Sequence, residues 1–208
     1  MKAINTKTLV SDILSIVKSH DRFLITTHVR ADGDGIGSEV ALYYALKRMG
    51  KSVSIVNDSP IPQIYKFIIP GTDIYVHPEI PKDRAEVVFT LDCPTLDRLG
   101  KTQGIIPKDA IIINIDHHVS NEHFGKINWV SEEMCATGEI ILSLLREGNI
   151  DITPDMATAL YVAMVTDTGR FTHSNTTPEA LRMAAFLIER GARHVEISKH
   201  VYNTNPYN

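Results

Sequence analysis

A chain of 208 residues, 43% hydrophobic and 22% charged, can bury a sizeable core, which excludes disordered and fibrous classes. Its 21 Lys plus Arg against 25 Asp plus Glu leave a formal net charge of −4, which excludes coating of long nucleic acid by a basic surface but leaves short anions open. No run approaches the roughly 18 apolar residues of a membrane span, residues 1–5 carry no leader pattern, and two cysteines without CxxC spacing, Cys93 and Cys135, suit a reducing cytoplasm.

Leu9, Ile13, Ile16 and Val17 recur at helical spacing over residues 8–18. Residues 23–27 read as a short buried strand, followed by a glycine-rich loop over residues 31–37. A helix is predicted over 38–49 with Gly50 as its C-cap, then a strand over 52–56. Strand, helix and strand in succession form a parallel crossover. Residues 61–81 are proline-rich and read as irregular, with a short strand at 74–76. Residues 86–91 and 110–115 are apolar runs suited to strands buried on both faces. Helical periodicity then governs 137–146, 154–165, 178–189 and 194–202. Thr153 and Thr177 precede Pro154 and Pro178, the order of an N-cap followed by proline at the first helical position. The fold class expected is a single α/β domain with an open, mostly parallel sheet flanked by helices.

Four segments rich in Asp and His fall at predicted element ends: His28 to Asp34, Asp92, Asp116-His117-His118, and Asp167 to Arg170. In open α/β sheets ligands bind outside the carboxyl ends of strands, so these distant segments can converge. Singly, each has an ordinary explanation as a turn residue, an N-cap or a hydrogen-bonded structural histidine. A calcium loop starting at Asp32 fails, because its twelfth position is Tyr43 rather than Glu. A dinucleotide fingerprint fails at Ser38, where a third glycine belongs. Together, His28, Asp32, Asp34, Asp92, His117 and Asp167 supply four carboxylates and two imidazoles. Clustered without cations they would repel strongly; two divalent metals bridged by one carboxylate would satisfy all six. Oxygen-rich ligation with a minority of imidazole favours Mn²⁺, with Mg²⁺ or Co²⁺ as substitutes. His20, His77, His123, His173, His194 and His200 lack partners in these motifs and read as surface or packing residues.

His28-x-x-x-Asp32-x-Asp34, Asp92, Asp116-His117-His118 and Asp167 resemble the four motifs of the DHH phosphoesterase superfamily. Their flanks, Arg30 to Ser38, Thr166 to Phe171 and Ser174 to Glu179, most resemble its bifunctional oligoribonuclease/phosphoadenosine-phosphate phosphatase branch. The resemblance spans about residues 10–203. It implies one metal on His28, Asp32 and Asp92, and another on Asp34, Asp92, His117 and Asp167, with Asp92 bridging. It further implies that Asp116 orients an imidazole, that His118 faces the substrate phosphate, and that Arg170 adds a phosphate contact. Gly33, Gly35 and Gly37 are expected to let backbone approach the metals at a helix N-terminus. The function implied is hydrolysis of short oligoribonucleotides or of the 3′-phosphate of phosphoadenosine phosphate, with cyclic or linear dinucleotides as related substrates. The alternatives are a manganese inorganic pyrophosphatase and a non-catalytic metal-binding module. The partners implied are short RNA or nucleotides, and a homodimer is compatible with this reading. The branch also carries a second, smaller domain with a Gly-Gly-Gly-His-type motif that residues 1–208 do not contain. We therefore expect this chain to be one catalytic domain, ending where a linker to that second domain would begin.

Overall fold

The computed structural model describes residues 6–69, 74–77, 79, 81 and 83–202; the leader-free start read at residues 1–5 and the chain end at 203–208 lie outside them. Strands β1 (Arg22–Thr27), β2 (Ser52–Asn57), β3 (Ile74–Val76), β4 (Val87–Leu91), β5 (Ile111–Asp116) and β6 (Ile127–Val130) form one sheet. Its order is β3-β2-β1-β4-β5-β6, and every pairing is parallel. Val87, Val88, Phe89 and Leu91 are all buried, which is why β4 reads as an unbroken apolar run and takes a central place. The periodicity predicts no strand at β6. Its four residues are too short to declare an alternation, and they pair onto β5 with Trp129 only 2% exposed.

The helices are α1 (Thr6–Ser19), α2 (Gly33–Arg48), α3 (Thr137–Glu147), α4 (Pro154–Asp167), α5 (Pro178–Glu189) and α6 (His194–Ile197), the last running into a π turn at Ser198–Tyr202. Thr153 and Thr177 cap α4 and α5 as expected, accepting from Met156 N at 3.3 Å and Ala180 N at 3.0 Å. Gly50, at φ +77, lies just past the α2 C-cap Met49, the left-handed position that suits glycine. The larger core packs these helices against Phe23, Ile25, Ile55, Phe89, Ile113 and Ile115 of the sheet. On the opposite face Leu24, Val56 and Val88 meet Ile105 and Ile106, at the end of 3₁₀ turns over Leu96–Ile105.

The glycine-rich stretch is not a loop. Asp32 is the N-cap of α2, its Oδ1 accepting from Asp34 N at 3.0 Å and Gly35 N at 3.2 Å, so Gly33, Gly35 and Gly37 lie inside the helix. Each glycine also faces a close neighbour. A Cβ on Gly33 would stand 2.4 Å from Thr166 Oγ1, on Gly35 2.5 Å from Thr27 Oγ1, and on Gly37 2.3 Å from the Ala159 carbonyl. Each glycine costs about 1 kcal/mol of helix propensity. In return α2 lies close against α4 and the end of β1, and this places Asp32 and Asp34.

One turn further along α2, Glu39 is buried with Oε2 accepting from Asn57 Nδ2 at 2.9 Å. Glu39 Oε1 and Asn57 Oδ1 have no hydrogen-bond partner among the described residues. A proton on Oε1 would neutralise the buried carboxyl and make that oxygen a hydrogen-bond donor. Burial pushes the Glu39 carboxyl up to about 8, against the Asn57 bond that lowers it. With the folded value above the ordinary 4.5, the unfolded chain ionises first, and the stability contributed below pH 4.5 is lost as pH rises toward 8. Glu39→Gln, which keeps donor and acceptor without the charge, is therefore expected to raise Tm over the parent at pH 8 and to match it near pH 4.5. Thermal unfolding at both values checks this. An advantage for the parent at pH 8 would mean that the ionised carboxylate is the stable buried form.

Candidate metal centre

The chain lays down β1, β2 and β3 outward in one direction, then returns to place β4 on the other side of β1. That reversal opens a crevice at the carboxyl ends of β1 and β4. Thr27 pairs with Leu91, and Leu91 with Ile115, so His28 and Asp92, just past β1 and β4, stand level with Asp116, the last residue of β5.

Asp92 sits at the middle of this crevice, 2% exposed. Its backbone is left-handed, φ +52, which costs a non-glycine residue about 1–2 kcal/mol and turns the carboxylate inward. Asp92 Oδ2 lies 3.3 Å from His28 Nε2, and Oδ1 lies 3.7 Å from His117 Nε2 and 3.6 Å from His118 Nδ1. Thr137 Oγ1 donates to Oδ1 at 3.3 Å. The two oxygens thus face two different groups of side chains. Ligand atoms lie within 4.8 Å of one another in His28, Asp32 and Asp92 on one side and in Asp34, His117 and Asp167 on the other, and a third such group joins Asp92 to His117 and His118. All six residues singled out by the sequence motifs converge.

Each is held from behind. His28 Nδ1 donates to the Val29 carbonyl at 2.8 Å, which leaves Nε2 for the cluster. Asp34 is fully buried and accepts from Thr137 N at 2.7 Å and Gly138 N at 2.9 Å. It thereby caps α3, whose own N-cap, Ala136, has no side-chain oxygen to offer. Asp167 is the last residue of α4, and Asn175 Nδ2 contacts its Oδ2 at 3.3 Å.

The electrostatics are those of crowded acids. Burial, reinforced by Asp92 and Asp167, drives the Asp34 carboxyl well above the usual range. Burial and Asp92 also raise Asp167, against the lowering effect of His117. Burial opposes charge on His28, yet the Asp32 and Asp92 carboxylates raise it to about 10. A cluster that pulls protons onto its acids and histidines is short of positive charge, and divalent cations supply it. Carboxylates and imidazole nitrogens at this spacing are a donor set that fits such ions.

Asp116 is buried and belongs to neither group. Its Oδ1 accepts from His117 N at 2.8 Å and pairs with His118 Nδ1 at 2.7 Å, while Oδ2 accepts from Asn121 Nδ2 at 2.7 Å. The Asp116 bond is the main reason that the His118 pKa is raised. The His118 side chain is 42% exposed, so a buried acid orients a ring that reaches the surface. Both histidines serve one crevice because β5 ends at Asp116 and the chain is already turning; their ring centroids are 4.7 Å apart.

Arg170 is placed differently. Gly169, Arg170 and Phe171 take φ values of +55, +63 and +62, a left-handed turn after α4, and the Arg170 guanidinium stacks 4.0 Å from the Tyr202 ring centroid. Sequence reasoning missed the supporting residues Asn121, Asn175 and Thr137. Asn121 lies only three residues past His118 and would read from sequence as a turn former.

The family described as DHH family, N-terminal domain, matches residues 22–164. A bifunctional oligoribonuclease and PAP phosphatase NrnA from Thermus thermophilus is 34% identical over 190 residues, 91% of this chain and 56% of that protein. The crystal structure of an exopolyphosphatase-related protein from Bacteroides fragilis superposes with a TM-score of 0.91 at 27% identity, covering 99% of this chain and 63% of that one. A putative family II inorganic pyrophosphatase of Methanococcus jannaschii shares the fold, with a TM-score of 0.63 at 20% identity over 81% of this chain and 55% of its own. The chain therefore spans little more than half the length of its Thermus relative.

Proposed function

Since the chain belongs to the DHH family, we propose that it is a metal-dependent phosphoesterase holding two divalent cations, Mn²⁺ in preference to Mg²⁺ or Co²⁺. The substrates proposed are short oligoribonucleotides and the 3′-phosphate of phosphoadenosine phosphate, the activities named for its Thermus relative. The observation that carries this reading is the Asp92 carboxylate, which turns one oxygen to His28 and the other to His117. His28, Asp32 and Asp92 would hold one cation, and Asp34, Asp92, His117 and Asp167 the other. Cations bound there supply Lewis acidity toward a phosphoryl group and acidify water. The chain's own part is to hold these ligands rigid and to present His118, its Nδ1–H held by Asp116, so that in the imidazolium form Nε2–H donates toward charge developing on phosphate oxygens.

Activity is tested by offering pyrophosphate, phosphoadenosine phosphate and a short oligoribonucleotide with Mn²⁺. Hydrolysis of either nucleotide substrate is expected. Turnover of pyrophosphate alone would replace this reading with a pyrophosphatase. Two bound cations without turnover of any of the three would leave a non-catalytic module. Within the histidine pair, His117→Ala is expected to remove one Mn²⁺ from a calorimetric titration, whereas His118→Ala keeps both and loses turnover. If His118→Ala lost the ion and His117→Ala did not, the two roles would be exchanged.

A further inference from the structure

We propose that Asn121 is a positioning residue that sets His118 through Asp116, an inference resting on the phosphoesterase reading above. The Asn121 backbone already does the work of a turn: its N–H donates to the His118 carbonyl at 3.2 Å, and Glu122 N donates to the Pro94 carbonyl at 2.9 Å. The side chain is spent elsewhere. Asn121 Nδ2 donates to Asn114 Oδ1 at 2.8 Å and to Asp116 Oδ2 at 2.7 Å, and its Oδ1 accepts from His123 N at 2.7 Å.

The direction of this chain of bonds is fixed by its far end. Asn114 Nδ2 lies 3.3 Å from the Thr90 carbonyl, 3.1 Å from Thr90 Oγ1 and 3.0 Å from the Cys93 carbonyl. Two of these three are carbonyls and can only accept, so Asn114 must present its own Oδ1 to Asn121. The two hydrogens of Asn121 Nδ2 then go to Asn114 and to Asp116, with the Cys93 carbonyl a longer contact at 3.4 Å. Asp116 receives Asn121 on Oδ2 and His117 N on Oδ1, which holds it as a pure acceptor in one orientation. His118 Nδ1 must donate to it at 2.7 Å, leaving Nε2 as the nitrogen available to a substrate. The same network grips the carbonyl of Cys93, the residue after left-handed Asp92. One side-chain amide thus holds the His118 ring in register with the central carboxylate.

The test uses Asn121→Ala and the isosteric Asn121→Asp, which cannot donate and sets a second carboxylate against Asp116; circular dichroism verifies folding. Three readouts are taken: kcat and KM on the nucleotide substrates, Mn²⁺ stoichiometry by calorimetry, and imidazole ¹⁵N shifts with diamagnetic Mg²⁺ in place of Mn²⁺. Both variants are expected to lose about 10–100-fold in kcat, the usual cost of removing an outer partner of a metal site. KM and Mn²⁺ stoichiometry should hold, and neutral His118 should no longer be a single Nδ1–H tautomer. Combining Asn121→Ala with His118→Ala should cost no more than His118→Ala alone. Additive losses, a lost Mn²⁺, or an unchanged tautomer in both variants would overturn the proposal. If the parent protein hydrolyses neither nucleotide, the phosphoesterase reading fails, and the tautomer still decides the role of Asn121.

Discussion

Asp92→Asn is expected to lower kcat by about 10³-fold or more at saturating Mn²⁺ while leaving the fold intact. The amide has the shape of the carboxylate, so the left-handed turn and the hydrogen bond from Asp92 N to the Ile115 carbonyl are undisturbed. What is lost is the anionic group shared by both ligand sets. Electrostatic stabilisation by such metals is worth several kcal/mol, and about 4 kcal/mol corresponds to about 10³-fold in rate. The same change relieves repulsion on Asp34 and Asp167, whose carboxyls Asp92 pushes upward. That relief is opposed by loss of the Asp92–His28 pairing, so without metal the variant should unfold within a few degrees of the parent's Tm. Activity within a few-fold of the parent would remove Asp92 from its shared role, and a collapse in Tm would mean that the carboxylate is structural.

Gly37→Ala should be the most damaging single-methyl change in the helical layer. The added Cβ would lie 2.3 Å from the Ala159 carbonyl and 2.9 Å from Ala163 N, and backbone cannot swing aside as a side-chain tip can. Alanine gains about 1 kcal/mol of helix propensity, but forcing α2 off α4 costs about 3 kcal/mol or more. The net loss of about 2 kcal/mol lowers Tm by roughly 4–8 °C for a chain of this length. Gly104→Ala is the control, because no atom of the described residues lies within 4 Å of its Cβ and its φ is not positive; it should unfold with the parent. Equal Tm for Gly37→Ala and Gly104→Ala would mean that the close crossing of α2 and α4 yields easily. Asp32 and Asp34 ride on this crossing, so Mn²⁺ binding should weaken together with stability.

The acidic and histidine segments were legible because each stands where an apolar run or a helical period stops, and parallel sheets bring strand ends together. The Thr-Pro pairs likewise marked the starts of α4 and α5, since their caps are local chemistry. The residues whose surroundings the sequence does not announce have long-range partners. Gly33, Gly35 and Gly37 disfavour a helix by propensity, and only the nearness of Thr166, Thr27 and Ala159 explains why they form one. Residues 127–130 become a strand because β5 lies beside them, not because four residues announce it. Arg170 has the chemistry of a phosphate contact, and the left-handed turn after α4 stacks its guanidinium on the Tyr202 ring, a neighbour no local pattern announces. Asn121 gains its meaning from Asn114 and Asp116, and no spacing rule encodes that triangle.

The central claim is that Asp92 divides the crevice into two cation sites. Crystals grown with Mn²⁺ and measured at the manganese absorption edge test it most directly. The account predicts two anomalous peaks, one beside His28 and Asp32 and one beside Asp34, His117 and Asp167, with the Asp92 carboxylate between them. A single peak, or two peaks that leave Asp92 uncoordinated, would contradict it.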